Sequence, residues 1–404
     1  MGLRAIVPAA AFAAIALAWP AGAAEAPKSI RIGYAISLSG VNAQGAATTT
    51  LPGYDLWVKD VNDKGGIMVK EFGKRIPVEV VAKYDDTSNA ETLLRLEEKL
   101  MTQDKVDFVL PPWSTGFNLA AAPIFAKYGY PQLAVTANAN DEEALVKQFP
   151  TMFFFLNQPM HFGAAMIEIL DKLKAAGKIN NKVALLSVGD QFGAEFAAGF
   201  GAGLKGAGYD IVLQKSYPLG AADLTNEIKE AKASGADTFI AGSYPPDTFM
   251  LAGTAITQGY NPKIYYAAVG TAFAEFGGNF KARADGVLGI GGWDPSLQGA
   301  QDYYKRQVAL TGHAPDGWAS PVTYASLQIL QQAIEKAGTL DHKKVIDAIA
   351  NGGPWETISG SIDLKSHIRE RQWGVGQWQK GQFVGISPGD MAGAQPVIFP
   401  KPAW

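Results

Sequence analysis

Short apolar segments alternate with amphipathic segments of helical period, and the series runs through once and then begins again. Residues 30–36 are a nearly continuous apolar run of strand length. Residues 52–64 then place Leu56, Val58 and Val61 at near-helical spacing until Lys64-Gly65-Gly66 stops them. A strand at 77–84 and a helix at 90–102, with Leu93, Leu94, Leu96 and Leu100 inward, repeat the unit, and segments at 106–110, 117–128, 132–135 and 153–156 extend it. Continuous apolar strands joined by helices describe a parallel sheet covered on both faces. The second series occupies 162–176, 183–188, 194–204, 211–216, 224–234, 238–241, 249–258 and 264–267. The expected fold class is therefore α/β, with two doubly wound, Rossmann-like lobes; 404 residues are also too many for one core. From Val287 a strand and helices at 300–309, 322–336 and 343–350 are expected to return to the first lobe. Residues 372–378 and 382–386 around Lys380-Gly381 read as a β-hairpin. Crossings near 157, 286 and 356 give an N-terminal lobe of 25–157 plus 287–356 and a C-terminal lobe of 158–286 plus 357–404.

Residues 1–24 narrow the setting. Arg4 is the only charge before Glu25, an apolar stretch runs from Ala5 to Trp19, and small residues follow at Ala21, Gly22 and Ala23. This is the layout of a secretory signal peptide, too short to span a bilayer comfortably at roughly 20 residues per crossing. Export from the cytoplasm with cleavage after Ala23 or Ala24 is expected. Outside the cytoplasm ATP and nicotinamide cofactors are not supplied. The chain has no cysteine, which removes disulfides, thiolate nucleophiles and a lipid-attachment thiol. A net charge of −3 gives no reason to expect nucleic acid or an anionic membrane as partner.

An internal echo locates a candidate site. Val106-Asp107-Phe108-Val109-Leu110 runs into Pro111-Pro112-Trp113-Ser114-Thr115-Gly116 and a helix. Asp237-Thr238-Phe239-Ile240-Ala241 runs into Gly242-Ser243-Tyr244-Pro245-Pro246-Asp247-Thr248 and a helix. Each is a strand, a turn with proline, an aromatic and a hydroxyl, then a helix start. Doubly wound sheets bind ligands beyond the carboxyl ends of their strands, so two facing lobes with these turns would close on a small molecule. Ser114 and Thr115 fall where hydroxyls and free N–H groups welcome an anion. Thr136-Ala137-Asn138, after the next strand, is expected to face them. Trp113 and Tyr244 offer stacking for a planar or apolar ligand body.

Catalytic signatures fail. Gly201-Ala202-Gly203-Leu204-Lys205-Gly206 spells a dinucleotide fingerprint, but it ends a helix before a strand instead of opening one after a strand. No G-x-S-x-G elbow occurs. His161, His313, His342 and His367 are dispersed without metal spacing. Asp85-Asp86 reads as a turn and helix cap, and Glu97-Glu98-Lys99 as a solvated helix face. No enzyme activity, cofactor or metal is expected.

The chain resembles the type I solute-binding proteins of ABC importers, specifically the leucine/isoleucine/valine-binding family, over nearly its whole length after residue 24. The resemblance rests on Ile32-Gly33-Tyr34-Ala35-Ile36-Ser37-Leu38-Ser39-Gly40, Val61-Asn62-Asp63-Lys64-Gly65-Gly66-Ile67, Asp85-Asp86-Thr87-Ser88-Asn89 and Lys105-Val106-Asp107-Phe108. Gly189-Asp190-Gln191-Phe192-Gly193, the hairpin at 376–384 and the closing Pro400-Lys401-Pro402-Ala403-Trp404 extend it. It implies a Venus-flytrap of two lobes joined by a three-stranded hinge, closing on a ligand and docking on a permease in the inner membrane. It places the ligand carboxylate on Ser114-Thr115 and Thr136-Ala137-Asn138, and lobe-closing contacts on Phe192 and Tyr244. Members that bind α-amino acids carry an acid near the turn that here reads Val269-Gly270-Thr271, where it would meet the ammonium. Val269 stands in its place; Asp190, Asp247 or Glu275 would have to substitute.

The expectation is a monomeric periplasmic binding protein for an amino acid or a related carboxylate, aromatic ones included. Its site would be Trp113, Ser114, Thr115, Thr136, Ala137, Asn138, Phe192, Tyr244, Gly270 and Thr271. The alternative is a ligand-sensing receptor of the same fold that signals to a partner.

Overall fold

The computed structural model describes residues 25–294 and 296–404. The expected leader, 1–24, lies outside the described residues. Strand Ile30–Ile36 runs between Val78–Asp85 and Phe108–Leu110 in a parallel sheet. All but Arg31 of its residues are buried, as helices on both faces require. A second parallel pair joins Gln132–Ala134 to Met152–Phe154. Helix Ala90–Thr102 follows its apolar spacing, and Asn89, not the Asp85-Asp86 pair, caps it by accepting from the Thr92 N–H.

Glu97 overturns one expectation on that helix. It lies one turn from Leu93 and from Leu100, on the apolar face, and is fully buried with neither carboxylate oxygen bonded. Burial, with a contribution from Asp86, pushes its pKa well above the carboxylate range, so it packs as a neutral acid.

The second sheet has seven strands, in the order Gln382–Ser387, Val375–Gln379, Leu288–Ile290, Ile264–Ala267, Thr238–Gly242, Lys182–Val188, Asp210–Tyr217. The last five are parallel, and the expected hairpin adds antiparallel at Leu288–Ile290. Leu288–Ile290 was expected with the first lobe; it instead pairs with Tyr266 and with Val375–Gln379. Three buried residues satisfy either sheet equally well, and only the pairing partners decide.

The last crossing also differs from expectation. Past residue 356 the chain stays against first-lobe elements. Ile358 N–H donates to Gln328 Oε1 at 2.9 Å, Phe154 N–H to the His367 carbonyl at 2.8 Å, and Arg369 N–H back to the Phe154 carbonyl at 3.0 Å. It reaches the second sheet only around Gln372–Val375. There Gln372 Nε2 donates to the Phe155 carbonyl at 2.8 Å, Asn157 Nδ2 to the Gln372 carbonyl at 3.2 Å, and Gly291 N–H to the Gly374 carbonyl at 3.2 Å. Three chain segments thus run together between the sheets. Helix Ala319–Ala337, the longest described, packs on helix Leu51–Asp63. No described helix is long and apolar enough to cross a membrane.

Candidate ligand site between the sheets

Ser114 starts helix Thr115–Tyr128 from a backbone with φ of 87°, unusual for a residue with a side chain. Its Oγ accepts from the Phe117 N–H at 3.3 Å, and its own N–H donates to Thr136 Oγ1 at 3.3 Å. Asn118 ties the two turns together: its Nδ2 donates to the carbonyls of Pro112 and Ser114 at 2.9 and 3.0 Å and to Thr136 Oγ1 at 3.2 Å. The Thr115 hydroxyl bonds Asn138 Oδ1 and accepts from the Asn138 N–H. Ser114 with Thr136, and Thr115 with Asn138, therefore form two bonded pairs side by side at the carboxyl ends of Phe108–Leu110 and Gln132–Ala134.

Trp113 is fixed from behind. Its Nε1 donates to Thr49 Oγ1 at 2.9 Å, and a Cβ on Gly45 would overlap its ring. Across the cleft, Tyr244 stacks on Phe192 with centroids 5.1 Å apart and meets Trp113 at 5.2 Å. The lobes also touch where the Asn140 N–H donates to Glu195 Oε2 at 2.9 Å. This is a closed cleft. Its remaining cavity is about 20 Å³, the room of one water. Trp113, Ser114, Thr115, Thr136, Asn138, Phe192 and Tyr244 line it together with Thr49, Leu156, Val269, Trp318 and Ala319.

Ala137, Gly270 and Thr271 are not in that lining. Ala137 packs among Ala122, Ala134 and Phe154. Gly270, at φ of 107°, presses its backbone against Pro245, where a Cβ would come within 2.8 Å. Thr271 donates to the Ala267 carbonyl and receives Trp378 Nε1 on its own carbonyl, both inside the second lobe. These three support the site's turns without facing the cavity. Among the residues missed, Trp318-Ala319-Ser320 repeats the aromatic and hydroxyl at a helix start, but without the strand that led into Trp113-Ser114-Thr115. Thr49 and Gly45 lie on helix Ala43–Thr49, whose small, polar run gave no helical period.

Four helices begin at this cavity: Thr115–Tyr128, Gln191–Gly206, Pro245–Thr257 and Ala319–Ala337. Three bring their own carboxylate. Asp190 accepts from the Gly193 N–H, Asp247 from the Tyr244 N–H, and Asp316 from the N–H groups of Trp318, Ala319 and Ser320. Helix Thr115–Tyr128 has only the neutral Ser114 cap and no acid in its first turn. Its positive end is the uncompensated one.

The acids stand behind the cavity, not in it. Asp190 Oδ2 accepts from the Tyr244 hydroxyl at 2.8 Å, and Asp247 Oδ2 from Tyr217 at 3.3 Å. Burial raises Asp190, more than the bonds from Gly193 and Tyr244 lower it, and pushes Asp247 up to about 6. Burial, then Asp190, holds the Tyr244 phenol well above its ordinary value, so it stays a donor.

The sequence pattern of the family described as periplasmic binding protein matches residues 29–382. The chain belongs to the periplasmic binding protein family. The binding protein is 24% identical to "Leu/Ile/Val-binding protein homolog 7" of Brucella abortus (strain 2308), over 94% of this chain and 96% of that one. Its fold is similar to that of the branched-chain amino acid transporter substrate binding protein LivJ from Streptococcus pneumoniae, solved in complex with isoleucine (TM-score 0.75, 21% identity, 88% and 98% of the two chains). It is also similar to an ABC transporter solute binding protein from Rhodopseudomonas palustris BisB5 in complex with 3,4-dihydroxy benzoic acid (TM-score 0.73, 19% identity, 90% and 100%). The two-lobe Venus-flytrap fold expected from the sequence is the fold observed.

Proposed function

We propose that this binding protein captures a small carboxylate with an apolar or aromatic body in the periplasm and delivers it to an ABC permease, without catalysis. The observation that carries the reading is the asymmetry of the cleft. Among the described residues no charged side chain lines the cavity, and of the four helix starts around it only that at Ser114 lacks a carboxylate of its own. A ligand carboxylate is matched there by N–H groups and by the hydroxyls of Ser114, Thr115 and Thr136. The rings of Trp113, Phe192 and Tyr244 suit the remainder of the ligand. With about 20 Å³ between the closed lobes, a ligand enters by parting these rings and the lobes close over it.

The ligand's other end decides its class. Val269 lines the cavity, and Asp190 and Asp247 are bonded to tyrosines and backbone behind it. A buried ammonium would lose its hydration and gain no anion in return. Deamino and 2-oxo acids are therefore expected to bind at least as well as the matching α-amino acids, in line with the aromatic acid held by the Rhodopseudomonas palustris protein. Thermal-shift titration of leucine against 2-oxo-4-methylpentanoate, and of phenylalanine against phenylpyruvate, tests this. A ligand at 100 times its Kd adds about 2.7 kcal/mol of stability. A tenfold preference for both amino forms would sink the reading.

A further inference from the structure

A second cavity, of about 170 Å³, lies on the hinge side of the closed cleft and shares only Trp318 with it. Trp293, Trp373, Pro321 and Met391 give it apolar and aromatic walls, and Arg369 lines it too. Two donors there lack acceptors. The Arg369 guanidinium forms no ion pair and no side-chain hydrogen bond among the described residues; it is half-buried, at the border between the cavity and an open groove, and partial burial lowers its pKa to about 10. It remains charged at neutral pH. Trp318, nine-tenths buried, has an Nε1 with no partner among the described residues. The buried, unpaired N–H is costly to leave unanswered, and the half-buried guanidinium beside it offers a cation without a protein counter-charge. They are placed here around a space large enough for one aromatic ring, since an apolar cavity of about 150 Å³ holds a benzene.

We propose that this hinge cavity is a separate binding site for an aromatic monocarboxylate. The guanidinium takes the carboxylate in a charge-assisted, two-pronged contact, and the tryptophans enclose the ring. Asp294 lines the same cavity and accepts from the Ser296 N–H at 2.8 Å, which disfavours a second negative charge on the occupant. Arg369 also borders the open groove along Ser361 and Arg371, the route from solvent. The walls come from residues on both sides of the three connecting chain segments, so an occupant bridges them.

The test uses the full-length exported chain carrying Ser114→Ala and Thr136→Ala, so that the cleft reading can fail without altering the outcome. Benzoate is titrated by calorimetry and tryptophan fluorescence. Benzoate should bind this background at one equivalent and at least tenfold more tightly than phthalate. Adding Arg369→Gln should weaken benzoate at least tenfold, with Arg369→Lys intermediate. Ala300→Leu, which fills the cavity wall and keeps the charge, should weaken it similarly, and it carries the test alone should Arg369→Gln not fold. No benzoate binding in this background at millimolar concentration, or benzoate affinity unchanged from the background when Ala300→Leu or Arg369→Gln is added, would overturn the proposal.

Discussion

The turn after Phe108–Leu110 and the turn after Thr238–Gly242 are built alike, yet they differ in charge. In the first lobe the helix start is met by Ser114, Thr115, Thr136 and Asn138, all neutral and bonded in two pairs, Ser114 with Thr136 and Thr115 with Asn138. In the second, the helix starts at Gln191 and Pro245 are met by Asp190 and Asp247, which also hold Tyr244 and Tyr217 in place. One side of the cleft has its helix dipole open, and the other side has satisfied its own. The same topology at both sheet edges therefore yields an anion-accepting face and a self-neutralised face. The difference lies in a few capping side chains, and it orients the ligand with its carboxylate toward the first lobe.

The largest expected effect comes from making the first lobe like the second. Ser114→Asp keeps a good helix cap but sets a fixed carboxylate where the ligand's would lie. Two unit charges about 4–5 Å apart at an effective dielectric of roughly 20 repel by about 3–4 kcal/mol. The best carboxylate from the matched-pair titrations should then bind at least 100-fold more weakly, read by calorimetry, with the thermal midpoint of the free protein nearly unchanged. Undiminished affinity would place the carboxylate elsewhere in the cleft.

A smaller loss is expected from removing hydroxyls without adding charge. Ser114→Ala with Thr136→Ala should weaken the same ligand by about 1.5–3 kcal/mol, the range for lost charge-assisted hydrogen bonds. Some of this loss comes from Asn118, whose Nδ2 then gives up one of its three acceptors. Equal affinity in the double variant and the parent would mean that backbone N–H groups alone hold the anion.

Periodicity carried the layers of the fold because strands at 30–36 and 264–267 and helices at 90–102 and 342–351 each had a full apolar face to read. It could not assign Leu288–Ile290 to a sheet or find the crossing at Gln372–Val375, because sheet membership depends on partners distant in the chain. The helix Ala43–Thr49 and the hairpin Ile67–Val69 with Lys74–Ile76 were too short and mixed to show a period. At the site, strand ends followed by hydroxyls and aromatics marked Trp113, Ser114, Thr115, Thr136 and Tyr244. Phe192 came through the family resemblance. Thr49 and Leu156 reach the cavity only through packing, which has no local sequence signature. Trp318-Ala319-Ser320 was half legible: it has the aromatic, the hydroxyl and the helix start, but no strand leads into it to complete the pattern.

The smallest effect concerns the second lobe's own acids and appears only as pH dependence. Asp247 is buried, and in the folded protein its pKa is pushed up to about 6 by desolvation, against an ordinary value of about 3.8. The folded state thus holds this proton more tightly than the unfolded chain does. Below about pH 3.8 both states are protonated and nothing is lost. As pH rises through the window from about 4 to 6 the folded state gives up stability, to a limit of about 3 kcal/mol. Asp247→Asn removes the ionisation while its Oδ1 still accepts from Tyr217 and from the Tyr244 N–H. The variant should melt higher than the parent at pH 7, by the equivalent of about 1–2 kcal/mol, and the gap should close as pH falls toward 4. Melting curves at pH 4, 5.5 and 7 decide it. A gap of the same size at all three would mean that Asp247 is not titrating in this window, and that the second lobe holds its helix start with a fixed charge.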